Sequence, residues 1–131
     1  MKKMLVSALL LAAGVTTTNA ADWVDLGTDR ISNVFLDADS IKHTNKTLDQ
    51  RLAWVKVKYI RADGPYKAGD YTLASQTIDC KNDRFSVSRV IAYNSQGQMT
   101  QQTPMNTGWM EIPPDSTFEY IAETICSYPH I

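Results

Sequence analysis

The sequence predicts an α+β domain, an antiparallel β-sheet of five or six strands with one C-terminal helix packed on one face and one disulfide. Three observations carry this expectation. Apolar and polar residues alternate with period two through most of the chain, one segment near the C-terminus repeats with helical spacing, and the two cysteines, Cys80 and Cys126, fall one in each kind of segment. A helix with one apolar stripe needs a sheet against which to bury it, and a sheet with one apolar face needs a cover.

Taken in order, Lys2 and Lys3 precede an apolar run from Met4 to Gly14, and Thr18 and Ala20 place small residues at the usual positions before a cleavage point. That run is too short for a hydrocarbon core of ~30 Å. Residues 1–20 therefore read as a removable secretory signal peptide and residues 21–131 as the working domain, with no transmembrane segment. Trp23–Leu26 and Ile31–Leu36 are short strand candidates on either side of Gly27-Thr28-Asp29. Asp37-Ala38-Asp39-Ser40 reads as a turn whose side chains bond the local backbone. Residues 41–51 read as a loop. Ala53, Val55, Val57 and Tyr59 then alternate with Trp54, Lys56 and Lys58, which describes a strand with one apolar and one mixed face.

After a second loop at residues 60–70, with Gly64-Pro65 and Gly69, two segments rich in β-branched and aromatic residues follow, Tyr71–Cys80 and Arg84–Tyr93. Lys81-Asn82-Asp83 has the side chains of a tight turn between them, and Asn94–Gly97 leads into a polar strand at Gln98–Gln102, which completes a meander. Pro113-Pro114 breaks the chain. Ser116 then caps a helix, Glu119 stands three residues on as the partner of a capping box, and Phe118, Ile121, Ala122 and Ile125 form the apolar stripe, with Cys126 at its edge.

Composition bounds the function. With 131 residues, 44% apolar and 21% charged, the chain is one folded domain rather than a disordered or multidomain protein. An exported chain with an even pair of cysteines most simply makes one structural disulfide, worth about 4 kcal/mol in the loop-closure model. Without the first 20 residues, 11 basic side chains face 14 acidic ones, yet residues 42–67 hold seven basic residues against Asp49 and Asp63 alone. That segment can present a basic face on an acidic body.

No strong catalytic or metal motif stands in the chain. His43 and His130 are the two histidines, far apart in sequence, so neither a triad nor a ligand cluster can be assembled by spacing. Asp37 and Asp39 could share a face for acid–base work, but in an Asp-Ala-Asp-Ser sequence turn capping is the commoner role for such carboxylates. We expect no catalytic residue, no metal and no cofactor. The contact candidates are Trp54, Lys56 and Lys58 on one strand face and Arg61 just beyond it, a pattern suited to a protein or an anionic polymer and not to specific nucleic-acid readout. The competing explanation is an edge strand whose lysines block aggregation. Of Trp23, Trp54 and Trp109, packing predicts that at least two lie in the core.

The order of landmarks resembles the bacterial surface-adhesin protein E family: an early Trp23, Val34-Phe35-Leu36-Asp37 with Ser40-Ile41, Trp54 to Tyr59, Asp79-Cys80, Tyr93 with Gly97, Trp109 with Ile112-Pro113-Pro114 and Ser116, and a closing Cys126. The resemblance implies a sheet with a C-terminal helix tied by the cysteine pair, a non-enzymatic role in adhesion to host matrix or serum proteins, and a homodimer as one state. No cysteine stands at the cleavage point to take a lipid, so the expected location is the periplasm or the medium. The second reading is a periplasmic inhibitor or accessory protein that presents the Arg61–Gly69 loop to an enzyme.

Overall fold

The computed structural model describes residues 22–129; the expected signal peptide at residues 1–20 and His130 lie outside them. Eight strands, β1 (Trp23–Thr28), β2 (Ser32–Asp37), β3 (Lys42–Asn45), β4 (Gln50–Tyr59), β5 (Tyr71–Asp79), β6 (Arg84–Tyr93), β7 (Met99–Pro104) and β8 (Met110–Glu111), precede one helix, α1 (Thr117–Ser127). All pairings are antiparallel and form one sheet in the order β1-β2-β4-β5-β6-β7, with β3 beside β4 and β8 beside β6.

The strand count corrects the expected five or six. Six strands do span the sheet, but two short segments extend it. β2 pairs with Val55–Tyr59 of β4, and after the 3-10 turn Ala38–Ser40 the chain returns as β3 along the same edge of β4, opposite Gln50–Leu52. β8 likewise continues the edge that β7 makes on β6. Lys42–Asn45 and Met110–Glu111 are too short and too polar to show an alternation, so residues 41–51 pass for a loop in sequence.

Period two decides the core. Val34 and Leu36, Ala53 and Val55, Ile78 and Phe85 point to one face, where they meet Ile121, Ala122 and Ile125 of α1. Ser116 caps the helix by accepting from the Glu119 N–H at 3.1 Å, and the Glu119 side chain accepts from the Asp115 N–H at 3.1 Å, one residue before the expected return bond. Phe118 departs from the stripe. It is 40% exposed and stacks on Phe85 of the sheet, with ring centres 4.7 Å apart.

Two ties fix the helix. Cys80, directly after β5, is bonded to Cys126 near the helix C-terminus. Arg51 on β4 donates from Nη1 to the carbonyls of Ile125 at 3.0 Å and Tyr128 at 2.7 Å, which satisfies acceptors that a helix end leaves unpaired and sets a cation at the negative end of its dipole. Asp49 holds the guanidinium in place by accepting from Arg51 Nε at 2.8 Å, and it also pairs with His43 Nε2 at 3.0 Å. Hydrogen bonding from Arg51 lowers the Asp49 pKa, against the opposing effect of burial. The β5–β6 turn is built around Asp79, which is fully buried. Burial pushes its pKa up, but bonds from Arg84, Asn82 and Gln50 outweigh that and leave it below the usual carboxylate value.

The two ties predict two outcomes. Reduction of the disulfide removes about 2–4 kcal/mol of stability and Arg51→Met about 2–3 kcal/mol, both read from urea midpoints, whereas Arg30→Met changes nothing measurable. Asp49 and Asp79 have depressed folded-state pKa values, so their contribution is complete above the unfolded carboxylate pKa of about 3.9 and is lost as pH falls through the folded values. Unfolding midpoints should therefore hold steady above that pH and fall below it, and Asp79→Asn should flatten the fall.

Candidate functional site

The same alternation that turns Ala53, Val55 and Val57 to the helix turns Trp54, Lys56 and Lys58 to the other side of β4. Among the described residues no helix covers that side. Cross-strand register shows what surrounds them. Lys56 stands between Phe35 of β2 and Leu73 of β5, with Ile91 of β6 one strand further; Lys58 stands between Asn33 and Tyr71, with Tyr93 beyond; Trp54 stands beside Ser75, with Arg89 beyond. On β1, Trp23 shares this face.

Lys56 is the centre of the arrangement. Its Nζ lies 4.7 Å from the ring centre of Tyr71, 5.3 Å from that of Trp23 and 5.7 Å from that of Phe35, all within the range in which a cation is attracted to an aromatic face. Tyr71 is itself stacked on Tyr93 at 4.8 Å. Among the described residues the ion pairs are His43–Asp49, Arg51–Asp49 and Arg84–Asp79, and none includes Lys56. Partial burial in the cradle, with the Lys58 charge as a second influence, lowers the Lys56 pKa. The result is a half-buried cation with aromatic neighbours and no carboxylate partner, a group prepared to accept an anion from outside.

Three of the four sequence candidates thus share one strand face. Trp54 is half-buried on the open side, with its backbone N–H donating to Ser40 Oγ at 2.9 Å, and Lys58 is exposed. Arg61 is exposed in the loop after β4. β4 lies between β2 and β3 on one side and β5 on the other, so the edge-strand explanation for its lysines does not hold. The tryptophans also correct the expectation that at least two lie in the core. Trp23 and Trp54 are half-buried on the face without a helix, and Trp109 is 41% exposed over the Arg84 guanidinium. Sequence reasoning missed Trp23, Phe35 and Tyr71 as neighbours of Lys56; each strand's parity was legible, but the register that aligns four strands was not.

The other candidates are engaged elsewhere. Asp37 caps the 3-10 turn by accepting from the Asp39 N–H, with burial raising its pKa, and His43 pairs with Asp49 on β3. A cleft of about 560 Å³ between α1 and the β5–β6 turn is acidic, lined by Asp79, Asp83, Glu119 and Glu123. The Arg61–Gly69 loop is closed by paired backbone bonds between Asp63 and Tyr66 at 3.0 Å and by a stack of Tyr66 on Tyr59 at 4.6 Å. Among the described residues no three His, Cys, Asp or Glu side chains converge as a metal site, and no helix is long and apolar enough to cross a membrane.

A sheet backed on one side by a disulfide-tied helix, and bare on the other over a line of aromatic and basic residues, defines an α+β binding scaffold. The chain belongs to the surface-adhesin protein E family, whose family model matches residues 23–127. Membership makes this a surface-adhesin kind of protein, an exported class that binds other molecules and is suggestive of a non-enzymatic role. No curated protein matches the chain.

The cradle has a direct spectroscopic consequence. In a pH titration followed by NMR of the lysine side chains, the Lys56 midpoint should lie below the ordinary lysine value, and Lys58→Gln should move it back upward. A Lys56 midpoint at or above the ordinary value would contradict the desolvated setting.

Proposed function

We propose that this protein is an exported, non-enzymatic adhesin that meets its partner, a host matrix or serum protein or an anionic polymer, on the open face of the sheet. Trp54, Lys56, Lys58 and Arg61 make the contact. The observation that supports this most is Lys56, whose ammonium group is ringed by Tyr71, Trp23 and Phe35 and, among the described residues, has no carboxylate partner and no helix over its face. An acidic group of the partner would supply the missing counter-charge, while the flat rings of the face offer apolar area that is already rigid and loses little entropy on binding. Export through residues 1–20 belongs to the same proposal.

A second reading rests on a different observation. The Arg61–Gly69 loop is held in one shape by the Tyr59–Tyr66 stack and by the Asp63–Tyr66 bridge, and a preordered loop of this kind suits an inhibitor or accessory protein acting on an envelope or host enzyme. The two readings place the contact on different residues.

Retention of the residue 21–131 domain on immobilised heparin, and its capture by immobilised host matrix protein, should be strong at low salt and fall steeply at moderate salt as exposed charges are screened. Lys56→Gln with Lys58→Gln should weaken both by about tenfold, the effect of losing ~1.4 kcal/mol of charge-assisted contact. Retention that is absent at low salt, or unchanged in the double variant, would contradict the open-face reading. A loss confined to Tyr66→Ala would favour the loop.

A further inference from the structure

The bond that ties α1 to β5 is not sealed in the core. Cys80 and Cys126 are both half-buried, and both line the cleft of about 560 Å³ between α1 and the β5–β6 turn. The buried side chains of Ile78 and Ala122 form apolar lining beside the two sulfurs, while Asp83 and Glu123 stand exposed and Glu119 half-buried around them. Asp79 also borders the cleft, but Arg84 answers its charge at 2.8 Å. Asp83, Glu119 and Glu123 take no part in the ion pairs among the described residues. The cations nearest in the fold are engaged by other groups. Lys81, next to Cys80, donates from Nζ to the Thr47 carbonyl of the β3–β4 turn at 3.2 Å, and Arg51 is held by Asp49 and the carbonyls at the helix end. The disulfide therefore stands under a negative potential that the chain leaves uncompensated.

That setting bears on how the bond can be opened. The attacking species in disulfide exchange is a thiolate, an anion, and carboxylates around the target raise the free energy of its approach. The sulfur that is expelled also becomes a thiolate, in the same surroundings. Neighbouring negative charge disfavours that form, and a thiolate that is hard to form leaves slowly. Both effects oppose a negatively charged reductant, and both are relieved by one that brings a positive charge with its sulfur.

We infer that this cleft is a charge-selective gate to the Cys80–Cys126 bond, which admits thiol reductants carrying positive charge and shields the bond from anionic ones. In the exchange the reductant's thiolate bonds to one cysteine sulfur as the Cys80–Cys126 bond breaks and the other sulfur leaves as a thiolate. A second reductant thiolate then displaces the first from the mixed disulfide. The cysteines take two protons from water to become thiols, and the two reductant molecules are oxidised to their own disulfide. Of the two ties at the end of α1, Arg51 alone then remains. The gate shares no residue with the Lys56 face and stands independently of the reading of that face.

The test uses the residue 21–131 domain with its disulfide intact and two thiols, cysteamine, whose ammonium group offsets its thiolate, and glutathione, whose thiolate form is net negative. Rates of bond opening, read by alkylation and mass spectrometry, are compared at equal thiolate concentration and divided by the rates on an uncharged linear disulfide peptide. In about 0.01 M salt cysteamine should open the bond about tenfold faster than glutathione, and in about 1 M salt that ratio should fall toward unity. Each rate should rise in proportion to thiol concentration. Asp83→Asn with Glu123→Gln removes two carboxylates that neither cap α1 nor bond Arg84, and should speed glutathione about fivefold without speeding cysteamine. The salt comparison on the unaltered chain decides the matter if the double variant does not fold. Equal rates for the two thiols, or a ratio unmoved by salt or by the folded variant, would overturn the inference. Rates independent of thiol concentration would overturn it as well, because unfolding and not the cleft would then control access.

Discussion

The fastening of α1 at its C-terminal end decides the character of the whole molecule. A single eleven-residue helix cannot hold itself on a sheet by its own propensity, because helices of this length are marginal in water. Burial of Ile121, Ala122 and Ile125 supplies most of the attraction, but an apolar stripe alone does not say where along the sheet the helix lies. The Cys80–Cys126 bond sets the position against β5, and Arg51, reaching from β4 to the Ile125 and Tyr128 carbonyls, sets it against the neighbouring strand. One tie is covalent and the other electrostatic, and they grip the same helical turn from two adjacent strands.

Once the helix is committed to that face, no described element covers the other, and the composition of its strands reflects the difference. The covered side buries Val34, Leu36, Ala53, Val55, Ile78 and Phe85, whereas the open side combines Trp, Tyr and Phe rings with Leu73, Ile91, two lysines, Ser75 and Arg89. Rings suit a half-exposed position because they pack laterally on a sheet while keeping one face available. Lys56 fits the same logic: its stem lies on apolar neighbours and its ammonium gains from ring quadrupoles what it loses in hydration. Asp49 stands on Arg51, Asp79 on Arg84, and the acidic cleft lies beside α1, while Asp25 and Asp37, at the β1–β2 end of the open face, accept from the Gly27 and Asp39 N–H groups. Membership in a family of surface adhesins agrees with a scaffold that leaves one face free.

Much of this arrangement was legible in the residues. The strands around Val55, Ile78 and Val87 follow from period two, and the helix and its cap from Ser116, Glu119 and the stripe through Ile125. The cysteine pair follows from an even count in an exported chain. What escaped has physical causes. β3 and β8 exist because longer strands offer them an edge, which is a tertiary effect with little trace in Lys42–Asn45 or Met110–Glu111. The tryptophans were misplaced toward the core because large apolar area was weighed without knowing which face of the sheet the helix takes. The lysine face was recognised, but its aromatic cradle comes from four strands whose mutual register a single sequence does not specify.

The central claim, that the face opposite the helix is where partners bind, is tested most directly by oxidative footprinting of side chains on the domain bound to heparin or to a matrix protein. The account requires Trp23, Trp54, Tyr71 and Tyr93 to become protected while Phe118 and Tyr120 on the helix stay as reactive as in the free protein. Protection of Phe118 and Tyr120 with the four open-face rings unchanged would contradict it.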